Sequence, residues 1–152
     1  MKKYAWIAAA VIILDQLTKL LALSITADIT LISGEIGLTY AENTGMAFSM
    51  LRGRSWLLGL LSAAVIVIGW LVLRKYRLGT LAAVSAMLML GGAAGNMIDR
   101  LYQGYVVDMI EVLLFRFAIF NVADMALTVG CGLMALSLLI CPEDWREKDA
   151  KD

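Results

Sequence analysis

Gly91 to Asp124 reads GGAAGNMIDRLYQGYVVDMIEVLLFRFAIFNVAD, and the fold turns on how its apolar and ionisable residues alternate. The stretch opens inside an apolar helix and leaves it through Asn96, Asp99 and Arg100. It then crosses a segment carrying Asp108 and enters a second apolar helix at Asn121 and Asp124. Two hydrophobic spans are thus joined by a loop with one carboxylate on its way and another where the next span begins. An Asp at the centre of a membrane helix costs roughly 2.5–3.5 kcal/mol on insertion scales. Acids gathered at one membrane face therefore indicate a site.

The composition calls for an apolar solvent around the chain. Of 152 residues, 61% are hydrophobic and 17% charged, and the mean hydropathy is +0.81, outside the range of soluble domains. The length predicts a single domain over 1–152. A formal net charge of zero offers no footing for nucleic acid. Without His there is no His triad, His metal site or His general base. Cys131 and Cys141 both lie in the last apolar run and read as packing residues, with no base nearby in sequence to activate a thiolate. The N-terminal MKKYAWIAAAVIIL mimics a signal peptide, but the apolar run continues past Asp15 as QLTKLLAL with no A-x-A cleavage site, so it reads as a first span.

Four spans are expected, at about 4–23, 56–73, 80–101 and 121–141, each long enough for the hydrocarbon core. The first carries Asp15 and Lys19 one turn apart on one face, an expected pair. Lys19 reads as half of a structural ion pair near the membrane edge, its amine snorkelling outward. Asp15 is open between that pair and a support for the site. In the loop after the first span, Ile29, Leu31, Ile32, Gly34, Ile36, Leu38 and Tyr40 predict short twisted strands. There follows AENTGMAF, where Asn43 and Gly45 supply turn chemistry and Met46, Phe48 and Met50 put apolar groups on one side of a returning segment. Composition alone makes Asn43 a plain surface turn. Trp56 and Trp70 sit near the ends of the second span, as interfacial belts prefer. Gly91 and Gly95 form a small-xxx-small face that brings Asn96 and Asp99 toward a neighbouring helix. The loop from Tyr102 to Phe120 reads as an interfacial strand or half-helix leaning on the bilayer. Asn121 caps the fourth span, and Asp124 lies where the helix dipole favours a carboxylate. The tail after Pro142 reads as charged and mobile.

Lys and Arg collect on one side: Lys2, Lys3, Arg74, Lys75, Arg77, Arg146, Lys148 and Lys151 against Arg52, Arg54, Arg100 and Arg116. The positive-inside rule puts both termini and the RKYR loop in the cytoplasm. Asp15, Asn43, Asp99, Asp108 and Asp124 then converge on the outer face. The expected fold class is an all-α membrane protein of four transmembrane helices, with a small extracytoplasmic β-cradle or half-helix region in the two outer loops.

With His, reactive Cys and metal patterns removed, carboxylates remain. Two Asp facing one another in a partly dry site tend to share a proton. One can then take a proton from water while the other gives one to a carbonyl oxygen. Asp108 and Asp124 come from separate elements, as such a pair requires. Asp99 competes, but its neighbours Arg100 and Asn96 suggest a charged support. A proton or cation pathway, or buried polar glue, is the plainer account of the same cluster. A small four-span exporter would set its carboxylate mid-span and keep its loops short, unlike this chain.

Five blocks in order, DQLTK, ENTGMAF, GNMIDR, VVDMI and FNVAD, make the chain resemble lipoprotein signal peptidase (signal peptidase II) over nearly its whole length. The resemblance implies a multi-pass aspartyl endopeptidase of the bacterial inner membrane, needing no cofactor or metal. Its substrates would be prolipoproteins carrying a diacylglyceryl group, cut before the lipidated cysteine, with membrane lipids as its other partners and a monomer as its state. By the same resemblance Asp108 and Asp124 are the catalytic pair. Asn96 and Arg100 line the pocket and meet substrate or the inhibitor globomycin. Asp99 and Asn121 support the site, Asn43 contacts substrate from the cradle, and Asp15 stabilises the whole.

Overall fold

The computed structural model describes residues 2–45, 53–114, 117–142 and 145–147. Four long helices dominate it: α1 (Ala5–Ala22), α2 (Ser55–Leu73), α3 (Thr80–Tyr102) and α4 (Val122–Ile140). Each is long and apolar enough to cross a membrane. The bounds fall within one or two residues of those expected from the apolar runs.

The packing is inverted relative to a soluble domain. Leu14, Leu17, Leu20 and Leu21 of α1 and Val65, Val67 and Ile68 of α2 face outward, while Asp15, Lys19, Asn96, Asp99, Asp108 and Asn121 are buried. Lipid tails are as apolar as Leu, so burying Leu between helices gains little, and close packing with hydrogen bonds holds a membrane bundle instead. α3 is accordingly the central helix, with Ala82, Ala83, Ala86, Gly91, Gly92 and Gly95 buried along it. A Cβ on Gly91 would press on Ala8 and Val11 of α1, and one on Gly92 would strike the Ala123 carbonyl and Leu127 of α4. Trp56 and Trp70 are exposed, as expected of belt residues.

At one end of the bundle β1 (Ile29–Ile32), β2 (Ile36–Asn43) and β4 (Val106–Val112) form an antiparallel sheet in the order β1-β2-β4. The strands expected in the first loop are present. The second loop forms a strand, one of its two expected states, but not as an exposed surface segment: β4 buries Val106, Val107, Asp108 and Met109 in succession. A strand hydrogen-bonded by β2 on one edge and bridged at Ile110 by Phe120 satisfies its backbone inside the protein, so its apolar run serves a core and not the bilayer surface. No half-helix occurs among the described residues of either loop. Met46, Phe48 and Met50 lie outside the described residues.

At the other end β3 (Tyr76–Leu78) pairs with β5 (Trp145–Glu147). Within the tail expected to be mobile, Trp145–Glu147 is a paired strand: Trp145 packs edge-on against Tyr76 and its indole N–H donates to Ser137 Oγ at 3.2 Å. Tyr4 and Thr80 share a hydrogen bond at this same end. Cys131 is exposed, Cys141 is half-buried, and they form no disulfide. Replacing both by Ser is expected to leave peptidase activity within about twofold of wild type, as surface substitutions usually do. Cys131, being exposed, departs from the expected packing role, and a larger loss in a cleavage assay would give one of the two thiols a part in the reaction.

Candidate active site

The candidate site residues Asp15, Asp99, Arg100, Asp108 and Asp124 come together where α1, α3, β4 and the start of α4 meet. The local chemistry of α4 explains its placement. Asn121 Oδ1 accepts from the Asp124 N–H at 2.9 Å and Asp124 Oδ2 accepts from the Asn121 N–H at 3.3 Å, a reciprocal cap. The helix start thus fixes the Asp124 carboxylate in place. β4 brings Asp108 opposite Ala41 of β2, two positions from Asn43, which pairs with Val106.

Two asparagine amides join the carboxylates. Asn96 Nδ2 donates to Asp124 Oδ1 at 2.7 Å. Asn121 Nδ2 donates to Asp108 Oδ1 at 2.6 Å and also reaches Asn96 Oδ1 at 3.1 Å and the Val107 carbonyl at 3.3 Å. The second oxygen of Asp108 accepts from Asn43 Nδ2 at 3.0 Å. Asn43 is also a turn residue, its Oδ1 accepting from the Gly45 N–H at 3.0 Å. The turn expected from composition is real, and its amide is aimed at Asp108.

Behind the amides lies a buried charged cluster. Lys19 Nζ lies 2.8 Å from Asp15 Oδ2 and 2.9 Å from Asp99 Oδ2. The expected i,i+4 pair is present, but Lys19 does not snorkel outward; it is only 4% exposed. Its ammonium turns inward because α3 offers the Asp99 carboxylate and the Asn96 side-chain oxygen, partners that lipid lacks. Asp15 Oδ1 accepts from the Ala123 N–H at 2.9 Å, tying α1 to the first turn of α4. Asp99 also accepts from Gln16 Nε2 at 2.9 Å and from the Val107 N–H at 3.3 Å. Lys19, Gln16 and the Val107 N–H, and not Arg100, are thus the hydrogen-bonding partners of Asp99. Gln16 carried no signal of its own in the sequence beyond its place in DQLTK.

Arg100 donates to the Asn96 carbonyl at 3.4 Å and the Gly45 carbonyl at 3.2 Å, and its buried Nε has no partner among the described residues. Its guanidinium faces the charges of Asp124, Asp108 and Asp99. Two clefts open on either side of it. One, of about 450 Å³, is lined by Asn43, Arg100, Phe120, Asp124, Met125 and Thr128 among others. The other, of about 320 Å³, lies between α2 and α4 against Leu58, Val65, Asn96, Arg100, Asp124 and Leu127. Asp124 and Arg100 border both.

Burial raises the proton affinity of Asp108, from an ordinary 3.8 to about 6. The charge of Asp124 adds to the effect, and the donors Asn43 and Asn121 and the Lys19 ammonium oppose it. The folded protein therefore keeps a proton that the unfolded chain has released between about pH 4 and 6. That contribution to stability is fully present below about pH 4 and lost as pH rises through about 6, on the order of 3 kcal/mol in all. Thermal unfolding in detergent is expected at lower temperature at pH 7.5 than at pH 5, with a flatter dependence in Asp108→Asn. An unchanged slope in that variant would place the titration elsewhere.

Comparison with known proteins bears on what this arrangement is. The family model for signal peptidase (SPase) II, peptidase family A8, matches residues 7–140. This chain belongs to the signal peptidase II family. It is 42% identical to the lipoprotein signal peptidase of Brevibacillus brevis over 143 residues, covering 90% of this chain and 95% of that one. It is also 42% identical to that of Geobacillus kaustophilus over 137 residues, covering 86% and 89%. A bacterial membrane enzyme solved in meso at 2.3 Å resolution superposes with a TM-score of 0.86 at 29% identity, covering 99% of this chain and 95% of the other. The family's activity is the removal of signal peptides from prolipoproteins by an aspartic peptidase, and the chain is a bacterial membrane protein with that activity.

Proposed function

We propose that Asp108 and Asp124 are the catalytic pair of this peptidase, and that it cleaves diacylglyceryl-modified prolipoproteins immediately before the lipidated cysteine. The observation that carries the assignment is their arrangement. Two carboxylates from separate elements each hold an asparagine donor and are linked through the Asn96 and Asn121 amides, and Asp124 opens onto both clefts. The proton shared by the pair rests on Asp108, the more deeply buried of the two, which leaves Asp124 as the base.

The reaction follows from those positions. Asp124 takes a proton from water, whose oxygen attacks the scissile carbonyl carbon, while Asp108 gives its proton to the carbonyl oxygen. The tetrahedral intermediate collapses as the C–N bond breaks, and the leaving nitrogen takes up the proton that Asp124 acquired. Asp108 takes back a proton from one of the two hydroxyls as that oxygen becomes the carbonyl of the new carboxyl group, which restores the pair. No covalent link to the enzyme forms. Arg100, with a donor to spare beside Asp124, holds a substrate carbonyl, and Asn43 meets the peptide from the cradle. Asn121, Asn96, Asp99 and Asp15 hold the pair.

The apolar part of the signal peptide lies along α2, α3 and α4. The 320 Å³ cleft shares Val65, Ala93 and Leu127 with a second apolar cavity of about 380 Å³, which reaches Trp145 near the opposite end of the bundle. Lipid chains on the substrate cysteine stay in the bilayer beside the first of these. Lys2, Lys3, Arg74, Lys75, Arg77 and Arg146 gather at the β3–β5 end, so that end and both termini face the cytoplasm and the catalytic pair faces outward. The enzyme works as a monomer.

The test is a gel-shift assay in detergent micelles with a diacylglyceryl-modified prolipoprotein beside its unmodified precursor. Only the modified protein is expected to shorten, giving a product whose N-terminus is the lipidated cysteine. Equal cleavage of both would remove the lipid requirement, and folded enzyme that cuts neither would overturn the substrate assignment.

A further inference from the structure

A lysine near the end of a membrane span ordinarily reaches for water, yet every donor of the Lys19 ammonium is used inside the protein. Its Nζ meets Asp15 Oδ2, Asp99 Oδ2 and, at 2.9 Å, Asn96 Oδ1. The two carboxylates account for the ion pairs. The third partner is a neutral amide, and it carries the inference.

An ammonium can only donate, so Asn96 must present its oxygen to Lys19. The Asn96 NH₂ is then turned to the other side, where it donates to Asp124 Oδ1 at 2.7 Å. The same Asn96 oxygen accepts from Asn121, whose amide donates onward to Asp108. A reversed Asn96 would set its NH₂ against the ammonium and its oxygen against the Asp124 carboxylate, two repulsive contacts at once. The ammonium also acts through space, since its charge opposes proton uptake by Asp108. The other charged groups packed around the amides are Asp15 on α1, Asp99 and Arg100 on α3, Asp108 on β4 and Asp124 on α4.

We propose that Lys19 is a positioning residue for peptide cleavage: its ammonium locks the Asn96 amide so that its donor faces Asp124 and its oxygen faces Asn121, the amide that holds Asp108. This rests on Asp108 and Asp124 being the catalytic pair. Asp108→Asn and Asp124→Asn test that reading separately, since neither touches Lys19.

Lys19→Met alone would leave two buried carboxylates without a cation and is a poor test. The informative comparison is Asp99→Asn against Lys19→Met/Asp99→Asn. The double variant loses one cation and one anion together, so the net charge of the cluster stays that of the wild type. Relative to Asp99→Asn, the double variant is expected to lose about tenfold or more in kcat with KM changed by less than about twofold. The alkaline limb of its pH profile should move up by about one unit. Asp99→Asn/Lys19→Arg, which keeps a cation, should hold the limb in place. A folded double variant with the kcat and pH profile of Asp99→Asn would overturn the proposal. In wild type, the Asn96 side-chain amide signal in a ¹⁵N spectrum should shift as the pair titrates. A signal indifferent to that titration would overturn the proposal even if the double variant does not fold.

Discussion

Asp124→Asn is expected to leave a folded protein whose kcat on a lipid-modified prolipoprotein is lower by about a thousandfold or more, with Asp108→Asn giving a loss of the same order. The fold should survive because the cap of α4 does not depend on the charge: Asn121 Oδ1 still accepts from the backbone N–H at position 124. An amide at 124 can accept from only one of the Asn96 side chain and the Asn121 N–H, so one donor loses its partner at a cost of about 1 kcal/mol. At 108 the competition is between Asn43 and Asn121. Neither change empties space or strips a helix end.

What disappears is proton transfer. With Asn at 124 nothing takes the proton from water, and with Asn at 108 nothing delivers one to the carbonyl oxygen. KM should move little, because the clefts and Arg100 are untouched. The check is steady-state cleavage in micelles, with thermal unfolding run on the same preparations. A folded Asp124→Asn that cuts at the wild-type rate would remove it from the pair. Asp99 is then a poor replacement, since Lys19, Gln16 and the Val107 N–H already occupy its oxygens.

The four spans, the strands of the first loop and the gathering of acids were all readable in the residues, because each depends on local pattern: apolar runs of membrane length, β-branched alternation, Asn before an apolar helix. The fate of Lys19 was not. Its i,i+4 pairing with Asp15 fixes which face of α1 it occupies, but whether that face meets lipid or another helix is decided by α3, some eighty residues on. β4 misled for the same reason. A short apolar run with one Asp looks alike on a bilayer surface and in a core, and only its pairing with β2 distinguishes them. The tail strand β5 depends on a partner at Tyr76–Leu78 that no pattern within the tail announces. Asn43 was legible as a turn because that bond is local, and illegible as an Asp108 partner because Asp108 lies on another strand.

The small-xxx-small pattern singles out Gly91 and Gly95, but Gly92 supplies the largest expected effect away from the carboxylates. Gly91 and Gly95 lie on the side of α3 that faces α1: a methyl on Gly95 would come within 2.5 Å of Asp15 Oδ2. Gly92 faces α4, where a methyl would collide with the Ala123 carbonyl and come within 3.1 Å of the Leu127 N–H. Both obstacles are backbone, so no rotamer change relieves them. α3 and α4 must separate in Gly92→Ala, and the overpacking is expected to cost on the order of 1–3 kcal/mol. Ala123 immediately precedes Asp124, and its N–H is the group that Asp15 Oδ1 holds. Moving that turn stretches the Asp15 contact and pulls Asp124 from the Asn96 amide, so a substitution touching no catalytic atom should reduce kcat by about a hundredfold. Gly132, which faces open space on α4 away from the clefts, is the control: Gly132→Ala removes an unfavourable helix glycine and should unfold at or slightly above the wild-type temperature with full activity. If Gly92→Ala matches Gly132→Ala in both unfolding temperature and cleavage rate, the α3–α4 contact does not set the position of Asp124.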